Sequence, residues 1–354
     1  MRRHAIVVVP GDGIGPEVTR EALKVLEAVE ASGFCGVDAV VRDWGAERYL
    51  RTGETLPPEG LDEFRRAAAV FMGAFGDPRV PDMRHAADIL LGTRFRLDLY
   101  VNERPVRVLA DRLCPLKHVA AESISFTVFR ENTEGLYVGI GGQFKRGTPD
   151  EIAVQEDVNT RKGVERIIRH AFAFARARGL TRVCMSDKSN VLRFGHDLWQ
   201  RVFAEVGDEY PEIEREHLYV DALVMQLVRR PQSFQVIVTC NMFGDIVTDL
   251  GAALQGGLGM AASGNVHPGV AAMFEPVHGS APKYAGQDIA NPFGAVLTAA
   301  MMLEHLGETA AARAVEGAVA EAVRAEQCTR DLGGSLGTEA AGSFVAEWIR
   351  RGNQ

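Results

Sequence analysis

Three aspartates lie next to apolar segments, where a carboxylate needs a partner. Asp245 and Asp249 lie in GDIVTDL, just after the apolar run VIVT, and Asp221 lies in YVDALVM. If a helix begins near Gly244, Asp245 and Asp249 share one helical face at positions i and i+4. Carboxylates that converge without cysteine or histidine ligands suit a hard cation, Mg²⁺ or Mn²⁺. On these residues alone, a solvated helix face or a cap remains an alternative for the pair.

Three arginines are candidates for binding carboxylates. They are Arg94 in TRFRLDLY, Arg104 in VNERPVR and Arg130 in VFRENTEG. Arg130 comes at the end of a predicted strand, the position at which α/β proteins bind ligands. Because a guanidinium fork matches a carboxylate, the set predicts a substrate with more than one carboxylate. For any single arginine, surface solvation is the alternative.

Lys188, in SDKSNV, and Tyr137, in NTEGLYVG, each follow the end of a predicted strand. A desolvated lysine near a metal can have a lowered pKa and act as a base, and a tyrosine can donate a proton to an enolate. Neither residue is diagnostic, since a lysine after a strand is often simply exposed.

One loop combines groups that could hold a ligand. The stretch FEPVHGSAPKYAGQDIANP, from Phe274 to Pro292, encloses His278, the pair Lys283 and Tyr284, and Asn291 between glycine turns. An aromatic ring beside a cation and an amide predicts that this loop binds something flat and something anionic.

These residues need elements to position them, and the chain opens as strand, glycine turn and helix. An apolar run at Ala5–Val9 precedes GDGIG, and a helix is predicted from Pro16; its inward face carries Val18, Ala22, Val25 and Val29. The third glycine of GDGIG comes one residue too early for a dinucleotide-binding fingerprint, so a tight turn is favoured over a phosphate site.

Further apolar runs predict strands that alternate with helices. The predicted strands are Val70–Ala74, Phe126–Phe129, Thr181–Met185 and Gln235–Thr239. A periodic helix covers Gly163–Arg178, with its inward face at Val164, Ile167, Ile168, Ala171 and Phe174. The segment Ala310–Arg350 is helical and broken at DLGGSLGT. The alternation predicts a doubly wound α/β protein, built as two lobes with intertwined boundaries.

Composition excludes several classes of function. The chain has 354 residues, 46% of them hydrophobic, with a formal charge of -8 and no basic run, so we expect no nucleic-acid or membrane partner. No apolar segment approaches the ~20 residues of a membrane span. Five cysteines without metal spacing are typical of packing residues in a reduced cytoplasm, which predicts a cytoplasmic protein.

Taken together, the motifs resemble one family over nearly the whole chain. FRLDLYVNERPVR, RENTEGLYVG, DKSNV, NMFGDIVTDL and FEPVHGSAPKYAGQDIANP are similar to those of the metal-dependent β-decarboxylating dehydrogenases. This isocitrate/isopropylmalate dehydrogenase family includes isopropylmalate, isocitrate, homoisocitrate, tartrate and D-malate dehydrogenases.

The resemblance implies an isopropylmalate dehydrogenase-like fold of two lobes, with parallel or mixed sheets flanked by helices, which is not a Rossmann fold. The large domain is expected at 1–101 and 254–354 and the small, dimerising domain at 102–253. The family pattern also implies a homodimer with shared sites in the cleft between lobes. Lys188 and Asp221 would reach the partner's site, while Asp245 and Asp249 would serve their own.

The resemblance further implies a role for each candidate. Asp221, Asp245 and Asp249 would bind Mg²⁺ or Mn²⁺, and Lys188 would take the hydroxyl proton. Hydride would pass to the nicotinamide, CO₂ would leave, and Tyr137 would help reprotonate the enolate. The substrate carboxylate would be bound by Arg94, Arg104 and Arg130. The coenzyme would be bound by Asn190, His278, Gly279, Lys283, Tyr284, Asn291 and Arg330.

The coenzyme is expected to be NADP rather than NAD. NAD-using members typically carry an aspartate where this chain has Lys283, whereas Lys283-Tyr284 resembles the NADP-using isocitrate dehydrogenases. A 2′-phosphate is negatively charged and needs hydrogen-bond donors, whereas an aspartate offers none and would repel it. Arg330, where relatives often have proline, would add a second cation.

The substrate stays open among 2-hydroxy diacids of the 3-substituted D-malate type. Leu90 and Leu91 resemble the apolar pair of isopropylmalate dehydrogenases, whereas isocitrate enzymes carry a serine and an asparagine at the places of Asp88 and Leu90. The surrounding motifs look closest to tartrate and D-malate dehydrogenases. Homoisocitrate, NADP-dependent isocitrate dehydrogenation and a non-catalytic regulatory role are the alternatives. A phosphonate analogue is a further candidate, with His85, Arg84 or Arg193 as available cations.

Overall fold

The protein has a mixed α/β fold of mostly parallel strands flanked by helices. The computed structural model describes residues 1–117 and 119–352. The strands are β1 (Arg3–Gly11), β2 (Gly36–Val41), β3 (Ala69–Ala74), β4 (Val101–Arg107), β5 (Ser125–Glu131), β6 (Gly141–Phe144), β7 (Ile152–Gln155), β8 (Arg182–Asp187), β9 (Glu214–Tyr219), β10 (Val236–Thr239), β11 (Ala262–His267) and β12 (Ala271–Pro276). The helices are α1 (Gly15–Ala31), α2 (Ala46–Thr52), α3 (Gly60–Arg66), α4 (Arg84–Ala86), α5 (Gly92–Arg96), α6 (Arg161–Ala177), α7 (Gly195–Gly207), α8 (Val220–Arg229), α9 (Asn241–Leu254), α10 (Phe293–His305), α11 (Thr309–Arg324) and α12 (Thr338–Arg351).

The chain divides into two compact units. Unit 1 comprises Met1–Leu99, Arg104–Ile124 and Ala252–Gln354, and unit 2 comprises Tyr100–Glu103 and Ser125–Gly251. The sequence analysis assigned 104–124 to the small domain, whereas the structure groups this segment with both ends of the chain. The reason is local: Arg112 donates hydrogen bonds to the carbonyls of Val323 and Leu332, and the peptide N–H of Arg107 donates to Gln255.

The core of unit 1 lies around a sheet with the strand order β2-β1-β3-β12-β11. β1 pairs in parallel with β2 and β3, β3 pairs in parallel with β12, and β12 pairs antiparallel with β11. All six residues of β3 are buried, as expected of a parallel strand covered on both faces. The predicted inward face of α1 is confirmed, since Val18, Ala22, Val25 and Val29 are fully buried.

Unit 2 carries a parallel sheet in the order β5-β10-β8-β9, and α6 packs on it. The predicted inward residues Val164, Ile167, Ile168 and Ala171 of α6 are fully buried. Phe174 is only half-buried, and Phe172 is the buried aromatic instead. Phe174 still contacts the sheet, with its ring centroid 4.9 Å from that of Phe129 on β5.

Arg130 lies at the carboxyl end of β5, Lys188 follows β8, and α9 follows β10. Because these strands are parallel, the predicted site residues of unit 2 lie at one end of its sheet. Within the described ranges, no helix is both long and apolar enough to cross a membrane.

Candidate active site

Arg130 is the centre of a buried group at the end of β5. Its side chain is almost fully buried, and its Nε and Nη2 donate to Asn241 Oδ1 at 2.9 and 2.6 Å. Its Nη1 donates to Asp245, whose other oxygen accepts from the Tyr137 hydroxyl at 3.1 Å. Gly244 makes this possible, because a Cβ there would lie 2.6 Å from the Arg130 side chain. The guanidinium therefore orients Asn241 and Asp245 as well as being a candidate for binding substrate.

Lys188 and Asp221 form a second group in unit 2. Lys188 Nζ donates to Asp221 Oδ1 at 2.6 Å, and this hydrogen bond lowers the pKa of Asp221. In one copy of the chain the Asp221 side chain is 67% exposed. The apolar neighbours Leu223 and Leu227 point to the opposite face of α8, which leaves Asp221 in the exposed first turn.

The aspartates fit a hard cation by their chemistry, but one copy of the chain does not assemble the set. Asp245 and Asp249 both lie on α9, as the sequence predicts, and offer only oxygen ligands. In the described part of the chain, no three His, Cys, Asp or Glu side chains are grouped so that they could hold a metal ion. The expected contribution of Asp221 from a second copy stays a prediction.

The backbone next to Lys188 is fixed by Asp187, which sequence reasoning missed. Asp187 accepts from His217 at 2.8 Å, from Gln200 at 2.7 Å and from the Ser189 peptide N–H at 3.1 Å. Burial opposes ionisation of this carboxyl, but these hydrogen bonds outweigh it and lower its pKa. The carboxylate thereby ties the end of β8 to β9 and α7.

A cavity of about 160 Å³ in unit 1 brings several predicted residues together. It is lined by Leu90, Arg94, Arg104, Ser263, Glu275 and His278, among others. Both arginines are buried, and Arg94 Nη2 donates to Glu275 Oε1 at 2.6 Å. Leu90 and Leu91 lie half-buried in a π-helical turn, Ala87–Leu91, between α4 and α5. The cavity therefore combines cationic and apolar walls.

His278 presents a buried nitrogen that could bind a ligand. Its Nδ1 donates to the Gly279 carbonyl at 3.0 Å, which leaves Nε2 as an acceptor. Across residues 1–117 and 119–352, Nε2 has no hydrogen-bond partner, and burial lowers the pKa of the ring. Gly279 beside it has open space where a Cβ would stand. Such an orphaned acceptor at the predicted adenosine loop fits a bound coenzyme.

Asn291 and Arg330 are linked through Asp331. Asn291 Nδ2 donates to Asp331 at 3.0 Å, and its Oδ1 accepts from the Phe293 peptide N–H at 3.0 Å, at the start of α10. Arg330 is exposed and begins the short 3₁₀ helix Arg330–Leu332. Asp331, the residue after Arg330, therefore contacts Asn291, and both Asn291 and Arg330 are predicted coenzyme residues.

Lys283 and Tyr284 are exposed on a short 3₁₀ helix, Pro282–Tyr284, with Lys283 Nζ 4.6 Å from the Tyr284 ring centroid. The loop after them is attached at two points. Glu17 of α1 accepts from the Gly286 peptide N–H, and Asp288 accepts from the Glu339 peptide N–H of α12 at 2.9 Å. Two helices from the ends of the chain therefore hold the loop that is predicted to bind coenzyme.

The GDGIG turn is a structural junction, in agreement with the favoured prediction. Asp12 accepts from the peptide N–H groups of Ala46 and Gly76 at 2.7 and 2.8 Å, and pairs with His85 Nε2 at 2.8 Å. His85 is fully buried and its Nε2 is engaged by Asp12. Arg84 and Arg193 are exposed.

A comparison with known families places this site in context. A model of the isocitrate/isopropylmalate dehydrogenase family matches residues 5–347. The chain belongs to the isocitrate/isopropylmalate dehydrogenase family. It is therefore an oxidoreductase, and the resemblance inferred from its motifs is confirmed.

Curated relatives of this family match almost the full chain. The 3-isopropylmalate dehydrogenase of Thermobifida fusca is 48% identical over 98% of this chain and 98% of its own length. The 3-isopropylmalate dehydrogenase of Nocardia farcinica is 48% identical over 92% of this chain and 95% of its own length.

Solved structures of the family share the fold. Isocitrate dehydrogenase from Methylococcus capsulatus superposes with a TM-score of 0.88 at 38% identity, covering 98% of this chain and 99% of that one. The TT0538 protein from Thermus thermophilus gives a TM-score of 0.87 at 37% identity, covering 99% of this chain and 70% of that one. The predicted α/β fold of the family is confirmed.

Sequence reasoning missed the partners of the site residues more than the residues themselves. Glu275, Asn241 and Asp331 hold Arg94, Arg130 and Asn291 in place. Glu275 left a usable signal, because an acidic residue inside the apolar strand AAMFEP needs a cation. Asn241 and Asp331 left none, since short polar residues are common at helix starts.

Proposed function

We propose that the protein catalyses the NADP-dependent oxidative decarboxylation of a 2-hydroxy diacid with an apolar 3-substituent, as in 3-isopropylmalate. The products would be a 2-oxo acid, CO₂ and reduced coenzyme. The curated relatives named 3-isopropylmalate dehydrogenase support this choice of substrate class.

One observation carries the proposal: the cavity of unit 1 joins Leu90 to the buried cations Arg94 and Arg104. Charged donors there bind carboxylate, and the leucine removes the apolar substituent from water. Isocitrate would instead place a third carboxylate against Leu90, and that burial without a partner is costly.

The chain's own groups supply the binding and the proton transfers. Arg94 and Arg104 hold the carboxylate that leaves as CO₂, with Arg130 as a further donor. Lys188 Nζ lies 2.6 Å from Asp221 and takes the proton of the substrate hydroxyl, while hydride leaves the carbon that bears this hydroxyl. Tyr137, whose hydroxyl already acts as a donor, returns a proton to the enolate carbon after CO₂ leaves.

Two groups come from outside the chain. Asp245 and Asp249 of one copy and Asp221 of a second would hold Mg²⁺ or Mn²⁺, which supplies Lewis-acid polarisation of the hydroxyl and its neighbouring carboxylate. Asn190, His278, Gly279 and Asn291 would hold NADP, which supplies the hydride acceptor. Lys283, Tyr284 and Arg330 would provide cations and a hydroxyl to the 2′-phosphate.

The test is coenzyme reduction followed by absorbance with Mn²⁺ and a panel of acids. The panel contains 3-isopropylmalate, D-malate, tartrate, homoisocitrate, isocitrate and a phosphonomethyl analogue, each with NADP and with NAD. We expect 3-isopropylmalate with NADP to give the highest kcat/KM. A higher value for isocitrate or the phosphonate would reject the apolar pocket, and no reduction with any acid would favour a non-catalytic relative.

A further inference from the structure

His196 contacts the backbone of Lys188, the proposed base, and has no role in the function proposed above. It belongs to the first turn of α7, is 1% exposed, and its ring packs edge-on against Phe243 at a centroid distance of 5.6 Å. Its Nδ1 lies 2.8 Å from the peptide nitrogen of Lys188. A peptide nitrogen can only donate, so Nδ1 must be the acceptor and must carry no proton.

That contact fixes the tautomer of the ring. With Nδ1 unprotonated, the neutral ring carries its hydrogen on Nε2. Burial lowers the pKa of His196, and although Asp187 and Asp157 oppose this effect, the neutral form is favoured.

His196 and Asp157 both line one small cavity. Among the residues that the structure covers, Nε2 has no direct hydrogen-bond partner, and Asp157 Oδ2 lies 3.7 Å away, beyond hydrogen-bond range. The cavity beside the ring has a volume of about 10 Å³ and includes Asp157 in its wall. This volume is at the lower limit of the roughly 10–15 Å³ that one water needs, and Nε2 and Asp157 would be its polar neighbours.

The far side of that cavity is fixed by further hydrogen bonds. Asp157 Oδ2 accepts from Asn159 Nδ2 at 2.9 Å, and Asn159 Oδ1 accepts from Trp199 Nε1 at 2.8 Å. Trp199 lies on the same helix as His196. These hydrogen bonds link Trp199 to Asp157, and a water between Asp157 and His196 Nε2 would continue them to the peptide N–H of Lys188.

We propose that His196 is a positioning residue for Lys188. In its neutral Nε2–H form, the ring accepts a hydrogen bond from the Lys188 peptide N–H at Nδ1. Its Nε2–H donates to one buried water, which in turn donates to Asp157. The Lys188 carbonyl is already held, since it accepts from the peptide N–H groups of Val191 and Leu192 at 2.9 and 2.8 Å. His196 therefore fixes the remaining backbone group of Lys188, and the lysine side chain projects in one direction towards Asp221. The catalytic part of this inference rests on the proposed role of Lys188 as base.

The test compares two amides at position 196. In His196→Asn the side-chain oxygen takes the place of Nδ1 and can still accept the Lys188 N–H, whereas in His196→Gln the amide reaches only the place of Nε2. We expect H196Q to lower kcat at least about tenfold and H196N to recover most of that loss, with coenzyme affinity unchanged in both. Equal kcat in H196Q and wild type, or equal loss in both variants, would overturn the proposal.

Three measurements do not depend on turnover, and so separate this proposal from the proposed function. Ring ¹⁵N NMR of the native protein should show the Nε2–H tautomer of His196. Exchange of the Lys188 amide hydrogen should be at least about tenfold faster in H196Q than in H196N. A high-resolution crystal structure should show a water within hydrogen-bond distance of both Nε2 and Asp157. A Nδ1–H tautomer, equal exchange in the two variants, or a dry cavity would each contradict the assignment, even if the substrate panel is inactive.

Discussion

At the scale of single residues, Lys283 is where the proposed preference for NADP can be tested most directly. It is exposed beside the Tyr284 ring. Arg330 is also exposed, and the residue after it, Asp331, accepts a hydrogen bond from Asn291 at the end of the same loop. Replacing Lys283 with aspartate would remove a cation and add repulsion towards a 2′-phosphate.

We therefore expect Lys283→Asp to lower kcat/KM for NADP by about 10²-fold or more, while the value for NAD changes little or rises. Initial rates with both coenzymes measure this ratio, and Lys283→Ala separates lost attraction from added repulsion. Unchanged NADP kinetics in Lys283→Asp would reject the phosphate-binding role of this loop.

His170 gives the molecule a pH dependence of stability. Burial lowers its pKa from 6.5 to about 4, and its ring packs edge-on against Phe129 at 5.1 Å. Between these two values the unfolded chain binds a proton that the folded chain does not, so stability is lost as pH falls from about 6.5 to about 4.

Since each pKa unit corresponds to about 1.4 kcal/mol, this loss amounts to at most about 3.5 kcal/mol in the free energy of unfolding. His170→Phe, which keeps an aromatic ring against Phe129, should reduce the acid sensitivity in denaturant titrations over that pH range. An identical pH dependence in the variant and the wild type would show that other groups dominate.

The residue types of the site could be predicted from sequence, but their partners could not. Arg94 and Glu275 are 181 positions apart, and no local pattern pairs them. The roles of His196 and Asp187 likewise cannot be predicted from sequence, because only the fold brings the His196 ring and the Asp187 carboxylate next to the Lys188 backbone. The exposure of Asp221 in one copy of the chain could not be read from YVDALVM, because that run contains both the buried Leu223 and the exposed Met225.

At the scale of elements, the start of α6 shows how one residue supports a helix. Thr160 caps α6 by accepting the Gly163 peptide N–H at 3.0 Å, and its own N–H donates to Glu134 at 2.8 Å. A Cβ on Gly163 would lie 2.3 Å from the Glu134 carboxylate, so this turn depends on glycine as well.

Loss of such a cap typically costs about 1 kcal/mol. We expect Thr160→Ala to lower the free energy of unfolding by roughly this amount, and Thr160→Ser to retain it, as measured by chemical denaturation. If Thr160→Ser is as destabilised as Thr160→Ala, packing of the Thr160 methyl group matters more than the cap.

Buried strands and long helices were predictable, because β3 and β10 are unbroken apolar runs and α6 has a regular apolar stripe. The hairpin β6–β7 and the strand β9 were not. All residues of β6 and β7 are exposed, and β9 reads EREHLY without an apolar alternation. Backbone hydrogen bonds therefore define these strands, and no apolar face marks them in the sequence.

At the scale of the whole molecule, the proposed sharing of sites between two copies can be tested by complementation. Lys188→Ala and Asp245→Asn should each be inactive alone. In a mixed dimer, one site would combine both defects and the other would contain intact Lys188 and Asp245.

Random reassortment of equal amounts should then recover about a quarter of the wild-type activity. The assay is turnover after co-refolding, with a mixture of Lys188→Ala and Lys188→Arg chains as the control that cannot complement. Recovery no greater than in this control would mean that each copy builds its site alone.

The attachment of the coenzyme loop to α1 and α12 has a consequence for the chain termini. Because Glu17 and the start of α12 restrain the segment around Gly286 and Asp288, a ligand that orders this segment also stabilises the C-terminal helix against local opening. Saturating dinucleotide should accordingly slow digestion of the C-terminus by carboxypeptidases. Shortening α12 should in turn raise the dissociation constant of the dinucleotide without altering the chemical step.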